Sequence, residues 1–298
     1  MFRLFSIVPI IAICCSGCAS LGPLNPMRPI ENKLLYHSTA VTSVPDQPNV
    51  ESVRIAVADD ESIHGLFVTH PAPQGVLLYC HGNGGNIVDR LPRLTKLSNK
   101  HRLSVLGFDY RGYGASGGKP SESSIYQDAR SARSWLSKNT QVPESGIILL
   151  GRSLGGGVAV ELATDGARAL ILESTFTSTT DVGKSHAKWL PVSLLMSQKF
   201  ESLKKIGSYD GPLLQMHGSE DEVVPFDLGL KLHEHANEPK RFVVMNGGHN
   251  NASHPDYEPL LAEFINSVCH PEPPGNTHKR PSNAGPDSDF DCHPNSWQ

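Results

Sequence analysis

Short apolar runs and helix-spaced patterns alternate along the middle of this chain. Residues 75–80 (Gly-Val-Leu-Leu-Tyr-Cys) form a near-continuous apolar run, and runs of the same kind recur at 103–108, 146–151, 169–173, 212–217 and 241–245. Strands buried on both faces read this way, as a parallel sheet covered by helices requires. Ahead of them, residues 52–57 and 65–69 predict an antiparallel pair joined around Asp59-Asp60-Glu61-Ser62. Between the runs the spacing turns helical. In residues 121–136, Ile125, Ala129, Ala132 and Leu136 fall at i, i+4, i+7 and i+11, with serines ahead of them to cap. Residues 154–163, 227–236 and 257–268 read in the same way. The alternation predicts right-handed crossovers and one α/β domain over residues 51–270. Its core would be a mostly parallel, doubly wound, eight-stranded sheet with the site at the C-terminal ends of the strands.

The flanks lack this alternation. Met1-Phe2-Arg3, an apolar stretch over residues 4–15 and the small residues that follow have the form of a secretory signal over residues 1–17, too short to span a bilayer. Ser16-Gly17-Cys18 resembles a bacterial lipobox, with Cys18 as the lipidated residue; Cys15 departs from that pattern, and cleavage after Ala19 is the alternative. Lipidation implies an exported protein anchored in a bacterial membrane, facing the periplasm or the cell surface. Residues 18–50, rich in Pro, Ser and Asn, then serve as a tether and N-terminal arm. Residues 271–298 are too polar for burial to offset ordering entropy and read as a disordered tail. Cys269 and Cys292 either pair in an oxidising compartment or stay apart, and Cys80, closing an apolar run, reads as a small buried hydrophobe. A net charge of −4 with no long basic run speaks against nucleic acid as a partner. A monomer is expected.

Chemistry concentrates in three segments. The run at 146–151 leads into Gly151-Arg152-Ser153-Leu154-Gly155 and then a helical pattern. In that context G-x-S-x-G is a strand-to-helix elbow that exposes the Ser153 hydroxyl, with a helix N-terminus beside it. A serine hydroxyl needs a base, and the base needs an orienting carboxylate. Downstream, His217-Gly218-Ser219-Glu220-Asp221 offers Asp221 and Asn246-Gly247-Gly248-His249 offers His249. The order serine, acid, histidine is that of α/β-hydrolases. Glu220, Glu222 and Glu173 are alternative acids, Glu173 foremost because some hydrolases carry the acid one strand earlier. Cys80-His81-Gly82-Asn83-Gly84-Gly85-Asn86 supplies the third part: the backbone N–H groups of Asn83 and Leu154 are the expected oxyanion donors. His217 is expected to brace the acid loop, His81 to bond within its own loop, and His186, His233, His235 and His254 to be solvated. No histidine stands at metal-ligand spacing with Cys or carboxylates, so no metal site is expected.

Four ordered motifs carry a resemblance: the segment at 81–86, Asp109-Tyr110-Arg111-Gly112-Tyr113-Gly114-Ala115-Ser116-Gly117, the elbow, and the Asp221 loop. Over about residues 34–269 the chain resembles small α/β-hydrolases that include eukaryotic acyl-protein depalmitoylases and their bacterial relatives. The resemblance implies the α/β-hydrolase fold, Ser153, Asp221 and His249 as a catalytic triad, no cofactor, and an ester or thioester substrate that includes palmitoyl esters in the eukaryotic members. Arg111 is read as structural. The turn at Asp60-Glu61-Ser62 departs from that group's Asp-Gly, which touches only a hairpin. Residues 175–210, with Phe176, Trp189, Leu190, Leu194, Leu195, Met196 and Phe200, predict a short helical cap roofing an acyl pocket for small or medium chains. A serine peptidase or amidase of prolyl-oligopeptidase type, or a catalytically silent binding lipoprotein, are the alternative functions.

Overall fold

The computed structural model describes residues 28–41, 43–44, 46–57 and 60–271. Cys18 with the signal segment, Cys292 and the tail from residue 272 lie outside the described residues. The strands are β1 (His37–Ser38), β2 (Val50–Ala56), β3 (Ser62–Val68), β4 (Gly75–Cys80), β5 (Gly84–Gly85), β6 (Leu103–Phe108), β7 (Ile148–Arg152), β8 (Ala169–Glu173), β9 (Leu213–Gly218) and β10 (Lys240–Met245). The helices are α1 (Arg28–Leu35), α2 (Leu91–His101), α3 (Glu122–Thr140), α4 (Leu154–Ala163), α5 (Thr179–His186), α6 (Val192–Leu195), α7 (Ser202–Lys205), α8 (Phe226–Glu234) and α9 (Tyr257–Cys269).

An eight-stranded sheet in the order β10-β9-β8-β7-β4-β6-β3-β2 forms the centre of this α/β-hydrolase fold. Only β3 runs against its neighbours, pairing antiparallel with both β2 and β6. The chain passes from β4 through α2 to β6, then crosses back over β4 to β7, so the winding direction switches at the β4–β7 pair. Ligand sites of open α/β sheets lie at such a switch. Alternation along the strands divides the core. Leu78, Cys80 and Leu149 face α3, α4 and α8, whereas Leu77, Tyr79, Ile148 and Leu150 face α2 and α9.

Helix α3 begins where Ser121 and Ser124 satisfy each other's backbone N–H groups in a reciprocal cap. Helix α4 is apolar nearly all round because it lies between the sheet and the cap. A side chain at Gly155 would collide with the Cys80 carbonyl, so only glycine lets α4 approach β4 this closely. Arg111 donates from Nε to Asp128 Oδ1 at 2.7 Å, tying the 109–117 loop to α3. Burial pushes the Asp128 carboxyl up to about 6 despite the bonds from Arg111.

Three elements depart from the sequence pattern. Helix α2 was not legible, and the arm ahead of β2 contains α1 and β1. The arm is built into the fold: Tyr36 is buried, β1 pairs with β5, and Glu31 Oε1 accepts from Ser197 N at 2.8 Å and Gln198 N at 2.7 Å. From the other side, Glu122 accepts from Lys199 N at 2.7 Å and Phe200 N at 3.0 Å. Two carboxylates thus hold four successive amides of the cap. Within the cap, α5, α6 and α7 are all short, and Trp189 and Leu194 are 82% and 85% exposed rather than roofing a pocket. Phe176 and Phe200 do pack inward.

Candidate active site

Ser153 ends the extended run of β7 and starts α4 with φ 53° and ψ −119°, a conformation that L residues rarely adopt. The turn is held at both backbone ends. Its N–H donates to the Glu173 carbonyl at 2.9 Å, and its own carbonyl accepts from Thr175 Oγ1 at 2.9 Å. The strain is therefore overdetermined by β8, and the hydroxyl is presented at the crest of the sheet.

His249 arrives on the loop after β10, where Gly247 has φ 99° and Gly248 N donates to Asn251 Oδ1 at 2.7 Å. Its Nε2 lies 3.1 Å from Ser153 Oγ, and its Nδ1 lies 2.8 Å from Asp221 Oδ2. Asp221 sits on the loop after β9, with its other oxygen accepting from Val223 N at 3.0 Å and Val224 N at 2.7 Å. Burial alone would raise the Asp221 carboxyl. Hydrogen bonds from His217 and His249, then from the Val224 N–H, outweigh it and hold the group well below the usual carboxylate range. His217 Nε2 bonds the Val224 carbonyl at 2.9 Å and stands 3.4 Å from Asp221 Oδ2, a brace for the acid loop.

The other acids are spent elsewhere. Glu173 Oε1 accepts from Arg93 Nη2 at 2.7 Å and Tyr257 OH at 2.6 Å, and Glu220 and Glu222 are exposed. The loop 81–86 lies against the elbow: a side chain on Gly82 would meet Ser153 Cβ at 3.5 Å. Asn83 is fixed there because its carbonyl accepts from His37 N and from Tyr113 OH, both at 2.9 Å. Leu154 opens α4, so its N–H is among the unpaired amides of a helix N-terminus. His81 Nδ1 bonds the Gly82 carbonyl at 2.6 Å, and burial pushes this imidazole down. His233, expected to be solvated, is not. It is half-buried on α8, with Nδ1 buried and without a partner among the described residues and its ring 5.2 Å from that of Phe242.

Four contributors are not marked by a catalytic motif role in the sequence: the arm residue His37, Tyr113, Thr175 and Arg152, whose Nη2 donates to the His249 carbonyl at 2.7 Å. Tyr113 lay inside a motif already noted, and Arg152 inside the elbow itself. The assembled groups form a hydrogen-bonded relay from carboxylate to imidazole to hydroxyl. Such a relay can draw the proton from a hydroxyl and return it to a leaving group.

A family model described as serine aminopeptidase, S33, matches residues 71–205. An uncharacterized protein of Mycobacterium tuberculosis (strain H37Rv) is 38% identical over 230 residues, 74% of this chain and 80% of that protein. Among solved structures, Pyrococcus furiosus esterase Pf2001 superposes with a TM-score of 0.60 at 19% identity, covering 79% of this chain and 96% of that one. Acetyl xylan esterase from Paenibacillus sp. R4 gives 0.62 at 21% identity, covering 81% and 92%. At these identities the two enzymes share the fold. The family match, with a relative 38% identical over 80% of its length, shows that this chain belongs to a family of hydrolases with the α/β-hydrolase fold.

Proposed function

We propose that this chain is a serine hydrolase that cleaves carboxylic esters or thioesters through an acyl-enzyme on Ser153. The observation that carries the reading is the relay: 2.8 Å from Asp221 to His249 and 3.1 Å from His249 to Ser153, at a strained elbow. Ser153 Oγ attacks the carbonyl carbon as its proton passes to His249 Nε2. Negative charge gathers on the former carbonyl oxygen, which the N–H groups of Leu154 and Asn83 receive. His249 then returns the proton to the departing alcohol or thiol. Water, activated by the same imidazole, releases the acid and restores Ser153.

An aminopeptidase must hold a substrate's terminal ammonium, and the acids nearest the relay are committed elsewhere: Asp221 to His249 and His217, and Glu173 to Arg93 and Tyr257. With Trp189 and Leu194 turned to solvent, the cap encloses little apolar volume, which favours short or medium acyl groups. The test is a substrate panel: p-nitrophenyl esters of rising acyl length, an acyl thioester, and amino-acid p-nitroanilides. Esters and thioesters should exceed anilides in kcat/KM by at least about a hundredfold, roughly 2.7 kcal/mol in barrier. Comparable turnover of anilides would make the protein a peptidase. Turnover of none by folded protein would make it a binding module.

A further inference from the structure

A second site lies beneath the histidine loop, on the face of the sheet covered by α2 and α9. It is a cavity of about 540 Å³, within the range of small-molecule sites. Its position follows from strand alternation. Arg152 and Ser153 are consecutive at the end of β7, so when Ser153 turns toward the relay, Arg152 turns to the opposite face and into this cavity. Ser153 is not among the lining residues, though His249 is.

The polar lining is lopsided. Lys96 pairs with Glu258, and Arg93 pairs with Glu173, whose Oε1 also takes the Tyr257 hydroxyl. Arg90 and Arg152 have no carboxylate partner among the described residues. Arg90 donates to the Gly84 carbonyl at 3.0 Å, and Arg152 to the His249 carbonyl at 2.7 Å and Asn250 Oδ1 at 3.2 Å. These bonds go to neutral acceptors, and neither guanidinium is in a direct ion pair among the described residues. A second, independent feature is Tyr79. Its side chain is 3% exposed and lines the cavity, yet its hydroxyl has no hydrogen-bond partner among the described residues. The ring is buried, but the hydroxyl is not among the fully enclosed unpaired atoms, so it opens toward the cavity as an unpaired donor. Met216, Met245 and Ala252 supply apolar wall beside these groups.

The geometry points to a binding site for a small organic anion, a carboxylate or phosphate carried on a compact apolar body, held by Arg90, Arg152 and the Tyr79 hydroxyl. Guanidinium groups match both oxyanions in shape and bond them as charge-assisted pairs. The apolar body would lie along Met216 and Met245. Because Arg152 also holds the His249 carbonyl, the occupant and the histidine loop share one side chain.

Calorimetric titration of the full chain carrying Ser153→Ala tests the site apart from any turnover, so its outcome does not depend on the nucleophile assignment. The probes are phenyl phosphate and phenylacetate, with benzyl alcohol as the uncharged analogue. Saturable 1:1 binding of either anion is expected, and which of them binds more tightly tells phosphate from carboxylate. Arg90→Gln and Arg152→Gln should each weaken it about 10- to 100-fold, the loss of one charged hydrogen bond. Tyr79→Phe, which keeps the ring in place, should weaken it several-fold without lowering Tm, and serves where an arginine variant fails to fold. No saturable binding of either anion would overturn the assignment. So would benzyl alcohol binding as tightly, or affinities unmoved by all three substitutions.

Discussion

At the scale of single residues, the charge on Asp221 is the feature with the sharpest consequence. Four groups, His217, His249, Val223 N and Val224 N, surround its two oxygens, and the carboxylate is held ionised by them. Asp221→Asn keeps the shape but presents an amide to His249 Nδ1, which favours the wrong tautomer of the ring. A loss on the order of 10⁴ in kcat is expected, the size seen when the orienting carboxylate of a serine-protease triad is removed. Glu173→Gln should cost far less in kcat, because Glu173 bonds Arg93 and Tyr257 and not His249. Steady-state kinetics on one ester checks both, and the opposite ranking would return the acid to the earlier strand. The residues of this relay were legible because each sits in a short motif whose chemistry demands it. Arg152 was not, since its role depends on which face of the sheet the residue before the nucleophile addresses. His233 was misread for a related reason: a histidine in a polar-looking helix gives no sign that Phe242 will cover it.

At the scale of elements, parallel strands announced themselves because burial on both faces leaves an unbroken apolar run, as in β4, β6 and β8. Helix α2 was hidden by Pro92 in its first turn and by apolar residues at 91, 94 and 97, a spacing of three that fills only a narrow stripe. Strand β1 is two residues long and has no period to read, yet with Tyr113 it fixes the 81–86 loop. Tyr113→Phe leaves the Asn83 carbonyl bonded to His37 N, so folding should lose only about 1 kcal/mol. With one bond in place of two, Asn83 would be held less firmly, and kcat should fall about 10- to 100-fold with KM little changed. An unaltered kcat would show that the hydroxyl does not position the loop. On α8, burial first, then Lys240, pushes His233 down to about 4. The unfolded chain takes up this proton near pH 6.5, so between there and about 4 it binds more protons than the folded state. Stability contributed by the neutral ring is full above that window and lost as pH falls through it. The drop in Tm from pH 7 to 4.5 should therefore be smaller for His233→Gln than for wild type; equal drops would contradict this.

At the scale of the whole molecule, the sheet and the relay are one construction. The winding direction switches at β4 and β7, and the 81–86 loop and the Ser153 elbow leave the ends of those two strands. The acid and the histidine follow from β9 and β10 at the far side, so the site spans the sheet and closes only when all four strands are in register. The arm, through Glu31, and α3, through Glu122, both hold the cap, long-range contacts that no local pattern encodes. The central claim is that Ser153 is the nucleophile of this assembly, and the most direct measurement is ester hydrolysis by Ser153→Ala in a preparation free of contaminating hydrolases. The substitution removes one oxygen and one hydrogen bond, so stability should change by no more than about 1 kcal/mol. Triad members act as a unit, and kcat should fall by roughly 10⁶. A folded Ser153→Ala variant retaining activity within about tenfold of wild type would contradict the assignment and the mechanism built on it.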